Sequence, residues 1–296
     1  MEEKKVLSKK KEINPRDATI CEATAQMLEK AKRDGVETAF DRAAGMKACP
    51  IGADSACCKH CSMGPCRLSS KDPYGKVGVC GATIDTIMSR NFARMVASGS
   101  AAHTDHGMSM LDLFREVVKG NITDYEIKDP NKLEEVAASI GIEVEGREIQ
   151  DIAMDLYQEL ERTYTQVEGE IPFAKRVPEK TLELWRKLGI VPRGAMREIM
   201  ELMHRTHMGV DQDYENITTQ ISRTALADGW GGSMVATEIS DILFGTPSPV
   251  SVEVNMGVLK EDHVNIIVHG HEPNLFESML VSVNEPTLIE EAQKVG

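Results

Sequence analysis

The chain has 296 residues, 41% of them hydrophobic and 27% charged, enough to bury one large core or two ordinary ones. A formal net charge of −13 offers no basic footprint for a nucleic acid, and aromatic residues on which bases could stack make up only 4%. No apolar run approaches membrane-spanning length and no signal-peptide pattern opens the chain, so the expected location is the cytoplasm, a reducing compartment.

Residues 1–14 are rich in Lys and Glu and read as a tail. Asn14 then serves as an N-cap and Pro15 as a first helical residue. Ile20, Ala23, Met27, Leu28 and Ala31 fall on one stripe, predicting a helix that ends at Gly35. Cys21 lies within it and reads as a small buried hydrophobe. A shorter helix around Val36, Phe40 and Ala44 leads into the stretch on which the reading turns.

Six of the seven cysteines lie between Cys49 and Cys80, in the pattern C-x7-C-C-x2-C-x4-C-x13-C. In a reducing compartment such clustered thiols are metal ligands rather than disulfides. Cys58, Cys61, Cys66 and Cys80 make one complete four-thiolate set for an iron–sulfur cluster, with Gly64 and Pro65 turning the backbone around it. Neighbouring side chains point apart, so Cys57 faces a second site together with Cys49. Two thiolates do not fill a cluster, but a two-fold axis brings the same pair from a second copy, predicting a cluster shared across a homodimer. Zinc held by four cysteines is the plainer alternative, yet one zinc accounts for neither the sixth cysteine nor the adjacent pair.

After Cys80 the sequence from Gly81 to Val118 reads as one long helix, with His103 and His106 three apart on one face. Residues 121–193 carry helix signals at 129–140, 148–163 and 179–188 and read as scaffold. Residues 195–227 continue in helical period, His204 and His207 sharing a face in a structural role, and Asp228-Gly229-Trp230-Gly231-Gly232 reads as a loop. Near Gly245 the composition shifts to β-branched runs, and HVNIIVHGHEP predicts a buried strand ending at His269 and His271. A helix follows in PNLFESMLVSV, the order in which an open α/β sheet begins, and NEPTLIEEAQKVG reads as another helix. The predicted fold class is a mainly α helical domain, residues 1–246, followed over residues 247–296 by the beginning of an α/β, Rossmann-like, parallel-sheet domain.

CCKHCSMGPCR, GVCGAT, SGSAAHTDHG, SDILFGTPSPV, NMGVL and VHGHEP, in that order, resemble the N-terminal half of the nickel-containing anaerobic carbon monoxide dehydrogenases. The resemblance implies oxidation of CO with water to CO2, with electrons passing through iron–sulfur clusters to a ferredoxin-like carrier. It implies that Cys49 and Cys57 hold the cluster on the dimer axis, and that Cys58, Cys61, Cys66 and Cys80 hold the neighbouring 4Fe-4S cluster. Whether the shared cluster has four irons or two stays open. His271 becomes the imidazole ligand of a nickel–iron–sulfur active cluster, with His269 beside it in support. His103 and His106 become the first rungs of a four-histidine proton relay, whose third and fourth positions are here Ser109 and Asp112, groups that do not titrate near neutrality as histidine does. The family's other active-cluster ligands are cysteines with no counterpart here, so the sequence is expected to be an N-terminal portion, and an acetyl-CoA synthase subunit is a further implied partner. The alternatives are a hybrid-cluster, hydroxylamine reductase-type enzyme or nickel-free relative, and a truncated electron-transfer iron–sulfur protein.

Overall fold

The structure is a computed structural model and describes residues 14–47, 49–249, 251, 263, 265–268, 270 and 273–295. These belong to two units, one drawn from Met1–Ala53 and Pro249–Ile267, the other from Asp54–Ser248 and Val268–Gly296.

In the first unit α1 (Pro15–Ala18) starts as expected, the Asn14 side chain accepting the Arg16 N–H. The single helix predicted to Gly35 is nevertheless broken. Thr19 is extended, its hydroxyl accepts the Cys21 N–H at 3.1 Å, and a β-branched pair at Thr19 and Ile20 gives the backbone little reason to stay helical. The chain re-enters helix in α2 (Glu22–Arg33), which leaves Cys21 exposed at its N-cap rather than buried. Gly35, at φ +69°, takes the left-handed conformation that turns the chain out of α2. A reciprocal Thr38–Asp41 capping box then opens α3 (Ala39–Gly45), and Cys49 stands directly before α4 (Pro50–Ala53).

The second unit is mainly helical. It begins with two short strands, β1 (Cys57–Cys58) and β2 (Cys66–Arg67), and then α5 (Ile84–Val118), capped by Thr83. Thirty-five residues give α5 a length of about 50 Å. The scaffold follows as α6 (Pro130–Ser139), α7 (Ile149–Thr165), a 3-10 turn at Pro172–Arg176, α8 (Glu179–Leu188), α9 (Ala195–Arg205), α10 (Tyr214–Ala227) and α11 (Met234–Phe244). Met110 and Phe114 of α5 share one core with Val136 of α6, Leu156 and Leu160 of α7, and Ile239 and Ile242 of α11. Truncating a leucine buried like these costs about 2–5 kcal/mol, so the second half of α5 is anchored by packing rather than by propensity. The first half is lined by Ala93 and Ala97 against Leu202, Ile217 and Ile221 of α9 and α10, short side chains that let the helices approach.

Two other expectations are corrected here. Asp228-Gly229-Trp230-Gly231-Gly232 is not a loop but a π-helical segment, Asp228–Ser233, running between α10 and α11. A Cβ on Gly232 would lie 2.6 Å from the His103 carbonyl carbon, so the glycine is there for close approach to α5. His207 lies past the end of α9 in a turn and shares no helical face with His204.

Toward the end, α12 (Pro273–Asn284) and α13 (Pro286–Val295) form as predicted. No strand is seen at the described part of the predicted one: Asn265–Val268 carry none, Ile266 and Ile267 are exposed, and β1–β2 is the only ladder among the described residues. A strand is held by its neighbour's hydrogen bonds, and the described residues supply no neighbour. Residues 252–262 and both His269 and His271 lie outside the described residues. No described helix is long and apolar enough to cross a membrane.

Candidate metal centre

The cysteine loop is organised by its two-residue ladder, in which Cys57 faces Arg67 and Cys58 faces Cys66. Side chains alternate along a strand, which sends Cys58 inward, where it is buried, and Cys57 to the opposite side. Directly opposed residues have Cβ atoms about 4.5–5.5 Å apart, so the antiparallel register brings the Cys58 and Cys66 thiols side by side. The turn between them closes through a cis Gly64–Pro65 peptide, and a Cβ on Gly64 would press on the Cys58 carbonyl oxygen at 3.1 Å. A second turn, with Gly78 N–H donating to the Ala82 carbonyl, returns Cys80 to the same place. The result is a cavity lined by Cys58, Cys61, Cys66 and Cys80 together, with His60 and Arg90 at its wall.

The four are the cysteines that the spacing grouped, and Cys57 does not line the cavity. No disulfide joins any of the seven cysteines. Among the described residues no three His, Cys, Asp or Glu side chains converge tightly enough for a single metal ion. Four cysteines around one cavity are a donor set that iron–sulfur clusters and tetrahedral zinc both use.

Donors surround two of the sulfurs. The Val79 N–H donates to Cys66 Sγ at 3.4 Å and the Arg90 guanidinium to Cys80 Sγ at 3.6 Å. Burial pushes the Cys80 thiol up, but Arg90, the backbone amides of Ala82 and Gly209 and the side chain of Gln212 outweigh it and hold the group at about 7. Burial and the charges of Arg94 and Arg90 push His60 below its ordinary value, against the hydrogen bond it makes with Asn91. Arg90 thus sets a positive charge at the cavity wall.

Three residues that the sequence reading passed over hold this geometry. Asn91 of α5 donates through Nδ2 to the Ser55 and Cys57 carbonyl oxygens at 2.7 and 3.2 Å, and its Oδ1 lies 2.9 Å from His60 Nε2. Gln212 donates to the Cys80 carbonyl at 2.8 Å, while its own carbonyl accepts from Thr86 of α5 at 2.7 Å. Arg90 is buried and also donates to the Asp211 carbonyl. Beyond it, the Asp211 carboxylate pairs with Arg205, which shares Glu201 with Arg193 and Arg197. Only their proximity to the cysteines along α5 and the α9–α10 turn, invisible in sequence order, marks them out.

A family model described as the Prismane/CO dehydrogenase family matches residues 56–296. The chain belongs to that family. Carbon monoxide dehydrogenase 1 of Methanosarcina mazei is 46% identical to it over 284 residues, covering 95% of this chain and 45% of that protein. The carbon monoxide dehydrogenase/acetyl-CoA synthase subunit beta of Moorella thermoacetica is 40% identical over 274 residues, covering 91% and 40%. A nickel-free carbon monoxide dehydrogenase structure from Thermococcus sp. AM4 superimposes with a TM-score of 0.89 at 40% identity, over 97% of this chain and 46% of that one. The chain thus spans less than half the length of these carbon monoxide dehydrogenases.

Among the other predicted positions of the second unit, Cys57, His103 and His106 do not line the four-cysteine cavity. Cys49 is exposed and belongs to the first unit, Cys57 to the second. His103 and His106 lie on α5, where His103 Nδ1 meets the Asp228 carboxylate at 2.7 Å at the start of the π segment, and His106 is half-buried one turn on. Ser109 is exposed, and Asp112 is paired with Arg115 at 2.8 Å.

Proposed function

We propose that this chain carries the electron-transfer clusters, and one ligand of the active cluster, of an anaerobic carbon monoxide dehydrogenase that converts CO and water to CO2, two protons and two electrons. The observation that carries the reading is the convergence of Cys58, Cys61, Cys66 and Cys80 on one cavity beside a buried, permanently charged Arg90. The named relatives favour it over the hybrid-cluster and the electron-transfer-only readings.

When bound, the clusters supply one-electron transfer and the nickel–iron–sulfur centre supplies the CO chemistry. The chain's own part is to bind and orient. The β1–β2 register sets the Cys58–Cys66 pair, Asn91 pins the loop that carries it, and Arg90 balances its charge. Cys49 and Cys57, joined by the same two residues of a second copy, hold a shared cluster in the proposed homodimer. In the proton route, His103 Nδ1–H donates to Asp228, which fixes the ring. Asp112 is engaged by Arg115, which favours an exit through the His103–Asp228 pair rather than along the face toward Asp112. His271 is the proposed active-cluster ligand and His269 its support. The domain division is proposed at 1–246 and 247–296, the latter opening a Rossmann-like sheet. A ferredoxin-like carrier takes the electrons, and an acetyl-CoA synthase subunit, as in the name of the Moorella relative, is a partner of the assembly.

Anaerobic reconstitution with iron and sulfide tests this. Cys58→Ser removes one cluster per chain, whereas Cys49→Ser or Cys57→Ser removes one per dimer and weakens association, with the four-cysteine signal kept. Loss of a whole cluster per chain in Cys57→Ser sinks the shared-site argument. In the assembled, nickel-loaded enzyme, His271→Ala abolishes CO-dependent viologen reduction while the electron-transfer clusters persist, and His269→Ala is milder. Full activity in His271→Ala places the active site elsewhere.

A further inference from the structure

Arg90 is the most deeply buried charged side chain near the cysteines, at 1% exposure. One guanidinium nitrogen donates to Cys80 Sγ at 3.6 Å and another to the Asp211 carbonyl. Its Nε has no hydrogen-bond partner among the described residues, and none of their carboxylates forms an ion pair with it, the Asp211 carboxylate being taken by Arg205 at 2.7 Å. A buried cation without a counter-charge costs several kcal/mol. What faces it across the cavity is the four-cysteine set, whose sulfurs carry negative charge when they ligate a metal cluster.

From this we infer that Arg90 is a positioning residue that sets the reduction potential of the group held by Cys58, Cys61, Cys66 and Cys80. The inference rests on the proposal that these thiolates hold an iron–sulfur cluster. Reduction adds one electron and no proton, so the reduced state carries one more negative charge in the same cavity. A fixed cation hydrogen-bonded to a ligand sulfur stabilises that state over the oxidised one, and net charge and hydrogen bonds to sulfur are levers that set such potentials. Arginine suits the task because its guanidinium stays charged when buried, where a lysine is readily neutralised. The Asp211 carbonyl on one side and the Gln212–Cys80 hydrogen bond on the other keep the guanidinium aimed at the sulfur.

The test is an EPR-monitored potentiometric titration, with dithionite as reductant, of the full chain reconstituted anaerobically with iron and sulfide. A Cys57→Ser background leaves only the four-cysteine signal. Arg90→Met is expected to shift the one-electron equilibrium at least tenfold toward the oxidised cluster, a potential lower by about 59 mV. Arg90→Lys, which keeps a cation, lies between that and the parent, and iron content is unchanged in both. An Arg90→Met chain that binds iron and titrates with the parent overturns the inference. Should neither variant hold a cluster, pulsed EPR of the parent labelled with 15N in its arginine side chains decides. A 15N coupling and an exchangeable-proton coupling from a single arginine are expected, and their absence overturns it. A parent chain that takes up no iron at these cysteines refutes the function proposed above, and the inference falls with it.

Discussion

Replacing Asn91 by alanine probes how the cysteine loop is held. The side chain is half-buried on α5 and makes four hydrogen bonds: to the Ser55 carbonyl at 2.7 Å and hydroxyl at 3.1 Å, to the Cys57 carbonyl at 3.2 Å, and with His60 at 2.9 Å. At about 0.5–1.5 kcal/mol each, their loss amounts to roughly 3 kcal/mol. That loss falls on a segment whose own ladder is two residues long, so it is expected as local opening rather than global unfolding. The Leu68 amide, which donates to the Ala56 carbonyl at 2.9 Å beside the ladder, reports it directly. Three kcal/mol is about two decades in an opening equilibrium, so in Asn91→Ala the Leu68 amide should exchange about a hundredfold faster, while amides in the middle of α7 are unchanged. Iron uptake at the four cysteines should slow in parallel. Leu68 exchange within threefold of the parent would refute the claim that α5 holds the loop through this one side chain.

Glu198 is fully buried and accepts from the Arg193 backbone N–H and guanidinium and from Gln220. Glu198→Ala, which removes the buried carboxylate and leaves Arg193 paired with Glu201 alone, should cost about 1.5–3 kcal/mol in urea unfolding, and a loss below about 0.5 kcal/mol would show that the pair carries little. Burial raises the Glu201 carboxyl, but Arg193 and Arg205 outweigh it and hold the group at about 2, well below the roughly 4.3 of an unfolded chain. Its folded pKa being depressed, Glu201 contributes fully above about pH 4.3, and the contribution drains away as pH falls toward 2. Acid unfolding of Glu201→Gln should therefore lose steepness in that window alone. Gly232→Ala should force α5 and the π segment apart, lowering stability by about 1–3 kcal/mol and lengthening the His103–Asp228 contact, as a crystal structure of the variant would reveal.

What the sequence determined by itself was the grouping carried by short spacings. Cys58, Cys61, Cys66 and Cys80 could be grouped, and Cys57 set against them, because ligands a few residues apart on a turning backbone have few other arrangements, and alternation along a strand is a local rule. The helices at 84–118, 130–139 and 179–188 were legible because caps and apolar periodicity are local as well. Where local signals were ambiguous, packing decided. Three glycines in six residues read as a loop, but pressed against α5 they form a π-helical turn, since glycine there permits an approach that its propensity alone does not foretell. Thr19 chose extended backbone and split a helix that the apolar stripe alone predicted. The electrostatic half of the candidate metal centre was decided by tertiary structure alone. Arg90, Asn91 and Gln212 lie 10, 11 and 132 positions from Cys80, and no pattern in the chain announces that they share one cavity wall or its immediate support. They meet because α5 and the α9–α10 turn are packed against each other, and a buried guanidinium acquires its meaning from the thiolates that the fold sets in front of it.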